Sequence, residues 1–184
     1  MALSDRAPGI RPRLTVGRRL DIVWRHAFPV VTSILLMLLS VAHGGLWGES
    51  ALLPTVTVTC IWFWSLYRPG AMSPPIVFLI GLLLDLLGYL PPGVGALTML
   101  ATYGVAQRLR RFLSRRGFAT IWLIFTTLAC CVAVFNWALV SLLTLSLEPT
   151  SPVLFEAVLA AAMYPVVAVP LHLAHRSIAD PDLA

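Results

Sequence analysis

Charge is scarce in this chain. Asp, Glu, Lys and Arg make up 11% of its 184 residues against 59% hydrophobic, and mean hydropathy is +0.88. A soluble domain of this length needs a charged shell, so the composition excludes one and leaves lipid as the expected solvent. The few charges are bunched between apolar runs that approach the length of a bilayer crossing, which leaves little material for a separate aqueous domain. Cysteine is as thin. Cys130 and Cys131 are adjacent in one apolar run and Cys60 lies in another, a spacing that excludes a disulfide framework and reads as small apolar filling.

Catalytic signatures are missing too. There is no G-x-S-x-G elbow, no H-E-x-x-H, no paired-Asp motif of the phosphate-transferring membrane enzymes and no P-loop. His172 and His175 share a helix face, but their place at a span end beside Arg176 speaks against a metal site. The chain is therefore expected to be no enzyme, with no catalytic residue, cofactor or metal. The net charge of +5 would suit nucleic acid, yet every basic residue is Arg and flanks an apolar run. Membrane orientation explains them more simply, and no nucleic-acid partner is expected.

What is present is a series of apolar runs. Residues 1–26 form a basic segment with Arg6, Arg11, Arg13, Arg18, Arg19 and Arg25, in which Leu14, Leu20, Val23 and Trp24 suit a short helix lying on an anionic leaflet, or else a loose tail. A first span is predicted from Ala27 to Leu46. The Ser40-Val41-Ala42 triplet imitates a signal-peptidase site, but the basic region is long for a signal peptide. A second span runs from Ala51 to Tyr67 and ends in Trp62, Phe63, Trp64 and Tyr67, which fits an interfacial aromatic belt. Its Thr/Val alternation is strand-like, but a lone strand cannot satisfy its backbone in hydrocarbon. Ser73 and Pro74 open a third span to about Leu90, and the turn LPPGVG leads to a fourth, Val94 to Gln107, as an antiparallel neighbour. A basic loop from Arg108 to Arg116 precedes a single long span, Ala119 to Leu147. The sixth starts at Ser151 and Pro152, ends near His172 and carries Pro165 and Pro170, which should kink it.

The expected fold class is thus all-α, a polytopic membrane protein of six transmembrane helices over residues 27–175, with a tail at 176–184. Orientation follows from the arginines. They fall in the N-terminal segment, at Arg68, at Arg108 to Arg116 and at Arg176, all on one side of a six-span chain, while the other loops offer only Glu49 and Glu148. Both termini are therefore expected to be cytoplasmic, with the chain crossing the membrane several times.

Two acids lie inside spans, Asp85 and Glu156, and ionisable groups there are functional candidates. Each is about five residues from the outer end of its span, roughly 8 Å deep at about 1.5 Å per residue. Thr57 and Asn136 fall near that depth, so one polar layer is expected, either as glue between helices or as a relay. Gly81, Asp85 and Gly88 form a stripe of small residues around the acid, where another backbone can approach closely.

From Leu53 to Tyr103 the order of features resembles the rod shape-determining protein MreD family. An aromatic segment is followed by the turn Arg68 and Pro69, then Phe78, Gly81, Leu82, Asp85, Leu86 and Gly88, then Pro92, Gly93 and Ala96. Chain size, span number and the Tyr164-Pro165 pair are also similar to the family. The resemblance implies a non-enzymatic component of the bacterial cell-wall elongation complex, acting with MreC, MreB, RodA and its penicillin-binding transpeptidase, and with membrane lipid. The glycine and aspartate stripe would then meet partner helices. The alternative is a substrate-binding membrane subunit of an energy-coupling factor transporter for a vitamin-type molecule, with the outer polar layer lining its pocket.

Overall fold

The computed structural model describes residues 16–47, 51–88, 91–113, 116–145 and 151–179. Six helices follow one another among them: α1 Val16–Trp47, α2 Leu52–Tyr67, α3 Pro74–Gly88, α4 Val94–Leu113, α5 Phe118–Thr144 and α6 Ser151–Ala179. The protein is all-α, as the apolar runs predict. Three stretches, Trp24–Ala42, Phe118–Thr144 and Val153–His175, are long and apolar enough to cross a membrane, while α2 and α3 are apolar but shorter.

The short α2 is the axis of the bundle. It packs against α1, α3, α4 and α6, and every residue from Thr55 to Leu66 is buried. A helix enclosed on all sides must be apolar all round, and α2 meets that demand with hydroxyls turned onto its own backbone. Thr57 Oγ1 donates to the Leu53 carbonyl at 2.7 Å and Thr59 Oγ1 to the Thr55 carbonyl at 2.8 Å. This local pairing is what lets a Thr/Val-alternating segment sit as a core helix.

The expected interfacial belt is corrected by the same enclosure. Trp62, Phe63 and Trp64 are at most 1% exposed. Trp62 lies against Phe125 of α5, with ring centroids 6.1 Å apart, and Trp64 meets Phe28 of α1 edge-on at 5.9 Å. The Trp64 indole N–H lacks a hydrogen-bond partner within the protein, a cost that packing of the large ring has to outweigh. Cys60 is core filling as expected, but Cys130 and Cys131 face outward.

Several helices run further than the apolar runs suggest. The boundary expected at residue 26 falls inside α1, so Val16 to His26 continue the first span as one helix and do not form a separate surface helix. Residues 1–15 and 180–184 lie outside the described residues. The predicted loop at Arg108 to Arg111 is the end of α4, where Arg110 and Arg111 in the last turn complement the helix dipole. Helix α6 continues past His172 and through Pro165 and Pro170 to Ala179.

Cross-contacts fix an alternating up-and-down course. At one end, Arg68 at the end of α2 reaches the Arg25 carbonyl in the N-terminal third of α1, Arg110 at the end of α4 donates to the Leu66 carbonyl of α2 at 3.2 Å, and Tyr67 packs on His172 and His175 of α6. This end therefore gathers arginines from three helices. The opposite end holds the α3 to α4 turn.

The Arg68 contact and a second one, between α5 and α6, have a common cause. A proline within a helix lacks the N–H that would bond the carbonyl four residues earlier. Pro29 frees the Arg25 carbonyl, and Arg68 Nη1 donates to it at 2.9 Å. Pro165 frees the Ala161 carbonyl, and Trp122 Nε1 of α5 donates to it at 2.9 Å. Pro29 and Pro165 thus each open a socket that a neighbouring helix fills. Trp122→Phe should lower stability by about 0.5–1.5 kcal/mol, the usual net contribution of one hydrogen bond. In detergent unfolding titrations the loss should shrink in the Trp122→Phe, Pro165→Ala double variant, because an alanine in place of the proline would restore an N–H; strictly additive losses would count against the socket.

Candidate functional site at the α3 to α4 hairpin

The turn between α3 and α4 is built around one carboxyl group. A helix starts with backbone N–H groups that have no partner in the previous turn, and α4 starts where little water can reach. Asp85, one turn before the end of α3 and only 4% exposed, supplies the partners. Its Oδ2 accepts the Gly93 N–H at 2.8 Å, its Oδ1 accepts the Gly95 N–H at 2.5 Å, and Ala96 N lies 3.4 Å from Oδ2. Val94 N–H is met by the Pro91 carbonyl at 3.2 Å, and Leu97 N–H makes the first bond to Gly93 O at 2.9 Å. The whole N-terminus of α4 is therefore satisfied, and the cap comes from the preceding helix.

Small residues make this reach possible. Gly93 has φ +101°, a left-handed conformation that a side chain would strain. A Cβ on Gly81 would lie 2.4 Å from Ala96 Cα, and one on Gly95 would lie 2.6 Å from Asp85 Oδ1 and 3.1 Å from Gly81 O. Gly81, Asp85 and Gly95 thus depend on one another: removing side chains at two positions brings the third within hydrogen-bonding range. The stripe does receive another backbone closely, as its spacing suggests, and that backbone is α4 of the same chain.

The expected single polar layer is two clusters at the same end. One is the Asp85 cap. In the other, Thr98 Oγ1 of α4 lies 2.5 Å from Asn136 Oδ1 of α5 and 2.8 Å from the Val94 carbonyl. Glu156 of α6 lies beside Asn136 and completes this cluster. With its oxygen engaged by Thr98, the amide nitrogen of Asn136 is the group left for the Glu156 carboxyl. Gly95 and Thr98 are three residues apart, so α4 carries both clusters on its first turns. Thr57 belongs to neither cluster, since its hydroxyl is spent on Leu53 O.

Of the remaining motif residues, Gly88 is half-buried at the end of α3, Pro92 is exposed in the turn, and Phe78 lies on the outer face of α3 at 44% exposure. Arg68 is half-buried and tied to α1, and Pro69 starts the turn that leads into α3. Sequence reading missed Gly95 and Thr98. The available signal was a glycine inside the first turn of a helix, a position with no reason to avoid a side chain unless something packs there. Among the described residues no three His, Cys, Asp or Glu side chains are close enough to hold a metal ion. Chemically, the hairpin is a clamp that aligns two helices and fixes the turn between them.

Neither a protein-family model nor a characterised protein nor a solved structure matches the chain. Gly81→Ala and Gly95→Ala should each cost about 1–3 kcal/mol through overpacking, whereas Gly104→Ala, with open space around its Cβ position, should be neutral or gain about 0.5–1 kcal/mol. Asp85→Asn should lose about 1–3 kcal/mol, because an amide cannot accept on both sides. Equal melting temperatures for the Gly81, Gly95 and Gly104 variants in detergent would refute the close approach.

Proposed function

We propose that this chain is a six-span scaffold of the bacterial cell-wall elongation complex, in the cell inner membrane with both termini cytoplasmic, maintaining rod shape by holding partners and not by catalysis. The observation that carries the reading is the convergence of the resembling motif on one physical device. Gly81 and Asp85 from its first half grip Gly93, Gly95 and Ala96 around its Pro-Gly turn. Gly81, Asp85, Gly93 and Ala96 of the resembling motif thus act together in the hairpin clamp, joined there by Gly95, and this concerted role supports the reading.

The gathering of Arg25, Arg68 and Arg110 at one end supports the six-span orientation. The short helices are compatible with it. Helix α2 is enclosed by its neighbours, and α3, roughly 22 Å long at about 1.5 Å per residue, has a mismatch that local thinning of the bilayer absorbs. With the glycine stripe covered by α4, the face of α3 left for a partner helix carries Phe78, Leu79, Leu82 and Leu86, each 43% exposed or more. Its partners would be MreC, MreB, RodA and the transpeptidase that works with RodA. The transporter alternative loses support, because Asp85 and Thr57, which it needs facing a ligand, are occupied by backbone groups.

Affinity-tagged chain isolated from solubilised bacterial membranes should bring down these partners. Replacing Leu79 and Leu82 together by Ala should weaken that recovery several-fold and round the cells while the chain itself stays folded. Recovery of an energy-coupling ATPase with a bound small molecule would move the assignment to the transporter subunit.

A further inference from the structure

At the arginine-bearing end, α2, α5 and α6 leave a groove of about 310 Å³ between them. Toward that end its polar side chains are Arg116 just before α5, His172 on α6 and Tyr67 at the end of α2, and the buried Tyr164, two turns earlier on α6, lines it as well. Its outer lip is apolar and open to the side, formed by Phe118, Val169 and Leu173 at 52%, 54% and 63% exposure. One wall is therefore greasy and sideways-facing, and one end is polar, which is the outline of an amphiphile.

The sign of the head group follows from the charges. Arg116 is permanently cationic, and its guanidinium is held over the Phe112 ring at 4.7 Å. His172 is packed against Tyr67, with centroids 5.8 Å apart, which leaves a hydroxyl and an imidazole beside the cation. Both acidic side chains that the structure describes, Asp85 and Glu156, belong to the opposite end. Among the described side chains nothing acidic there competes for Arg116, and Arg68, Arg108, Arg110 and Arg111 add to the positive field. A phosphate fits that mouth, and basic pockets between membrane helices take such head groups. The volume sits at the low end of the range of about 300–1,000 Å³ for ligand sites, so the groove takes a head group and the first chain carbons while the rest lies along the lip.

We propose that this groove binds one acidic glycerophospholipid, with its phosphate at Arg116 and an acyl chain along Phe118, Val169 and Leu173. The inference rests on the membrane part of the functional reading and not on the cell-wall part. A free phosphate shares the head-group chemistry, but the exposed lip argues for a ligand with a chain.

Native mass spectrometry of the full chain in detergent tests it, with phosphatidylglycerol and phosphatidylcholine of identical acyl chains as probes. Phosphatidylglycerol should be retained preferentially, and Arg116→Gln should reduce that preference about fivefold, the usual effect of one arginine at an anionic head group. Arg108→Gln, an exposed arginine of the same end outside the groove, should leave it intact. Equal retention of the two lipids, equal losses in the two variants, displacement by inorganic phosphate at matched concentration, or a dimer mass that excludes lipid would each overturn the site. Alkaline carbonate washing of the same membranes separates the two failures: a released chain sinks the membrane reading, whereas a retained chain with no lipid preference sinks only the groove.

Discussion

Every backbone N–H and carbonyl in this bundle that loses its helical partner has to find another one without relying on water. That requirement explains the placement of most of the polar side chains described above. Asp85 serves the start of α4, Arg68 and Trp122 serve carbonyls opened by prolines, and Arg110 serves the end of α2. In an aqueous protein many of these groups would be left to solvent at little cost. Where burial is complete, each orphan costs about 1–3 kcal/mol, which is enough to decide which sequences hold together.

This changes the meaning of the charged residues. An arginine near a span end is ordinarily an orientation signal, and the thirteen here are distributed as such a signal. Two of them also work as cross-links between helices. The acid follows the same logic. A carboxyl inside a span invites a catalytic or transport reading, yet Asp85 makes its bonds with backbone N–H groups at the positive end of a helix, where a structural role accounts for both of its oxygens.

Much of the fold was legible in the sequence, since apolar runs and their Pro and Gly breaks mark all six helices. Helix ends were less so. The runs stop where hydrophobicity stops, but Arg108 to Arg111 and Leu173 to Ala179 stay helical because tertiary contacts and dipole-favourable charges extend the last turns. Burial was the least legible. Trp62 and Trp64 have the composition of an interfacial belt, and only the arrangement of α1, α5 and α6 around them places them in the core. At the site, Gly81 and Asp85 could be read from spacing alone. Their partner Gly95 could not, because its role exists only once α4 is folded back against α3.

The clamps divide along the chain in a telling way. Arg68 joins α2 to α1, Asp85 joins α3 to α4, and Trp122 joins α5 to α6. Each consecutive pair carries its own lock and closes within itself. A chain emerging from a ribosome could therefore enter a bilayer as three successive hairpins, each with its exposed backbone groups already covered, before the contacts between pairs are made. Such an order keeps the early pairings local in sequence, which favours fast formation. It also limits how long an unpaired carbonyl faces lipid during synthesis.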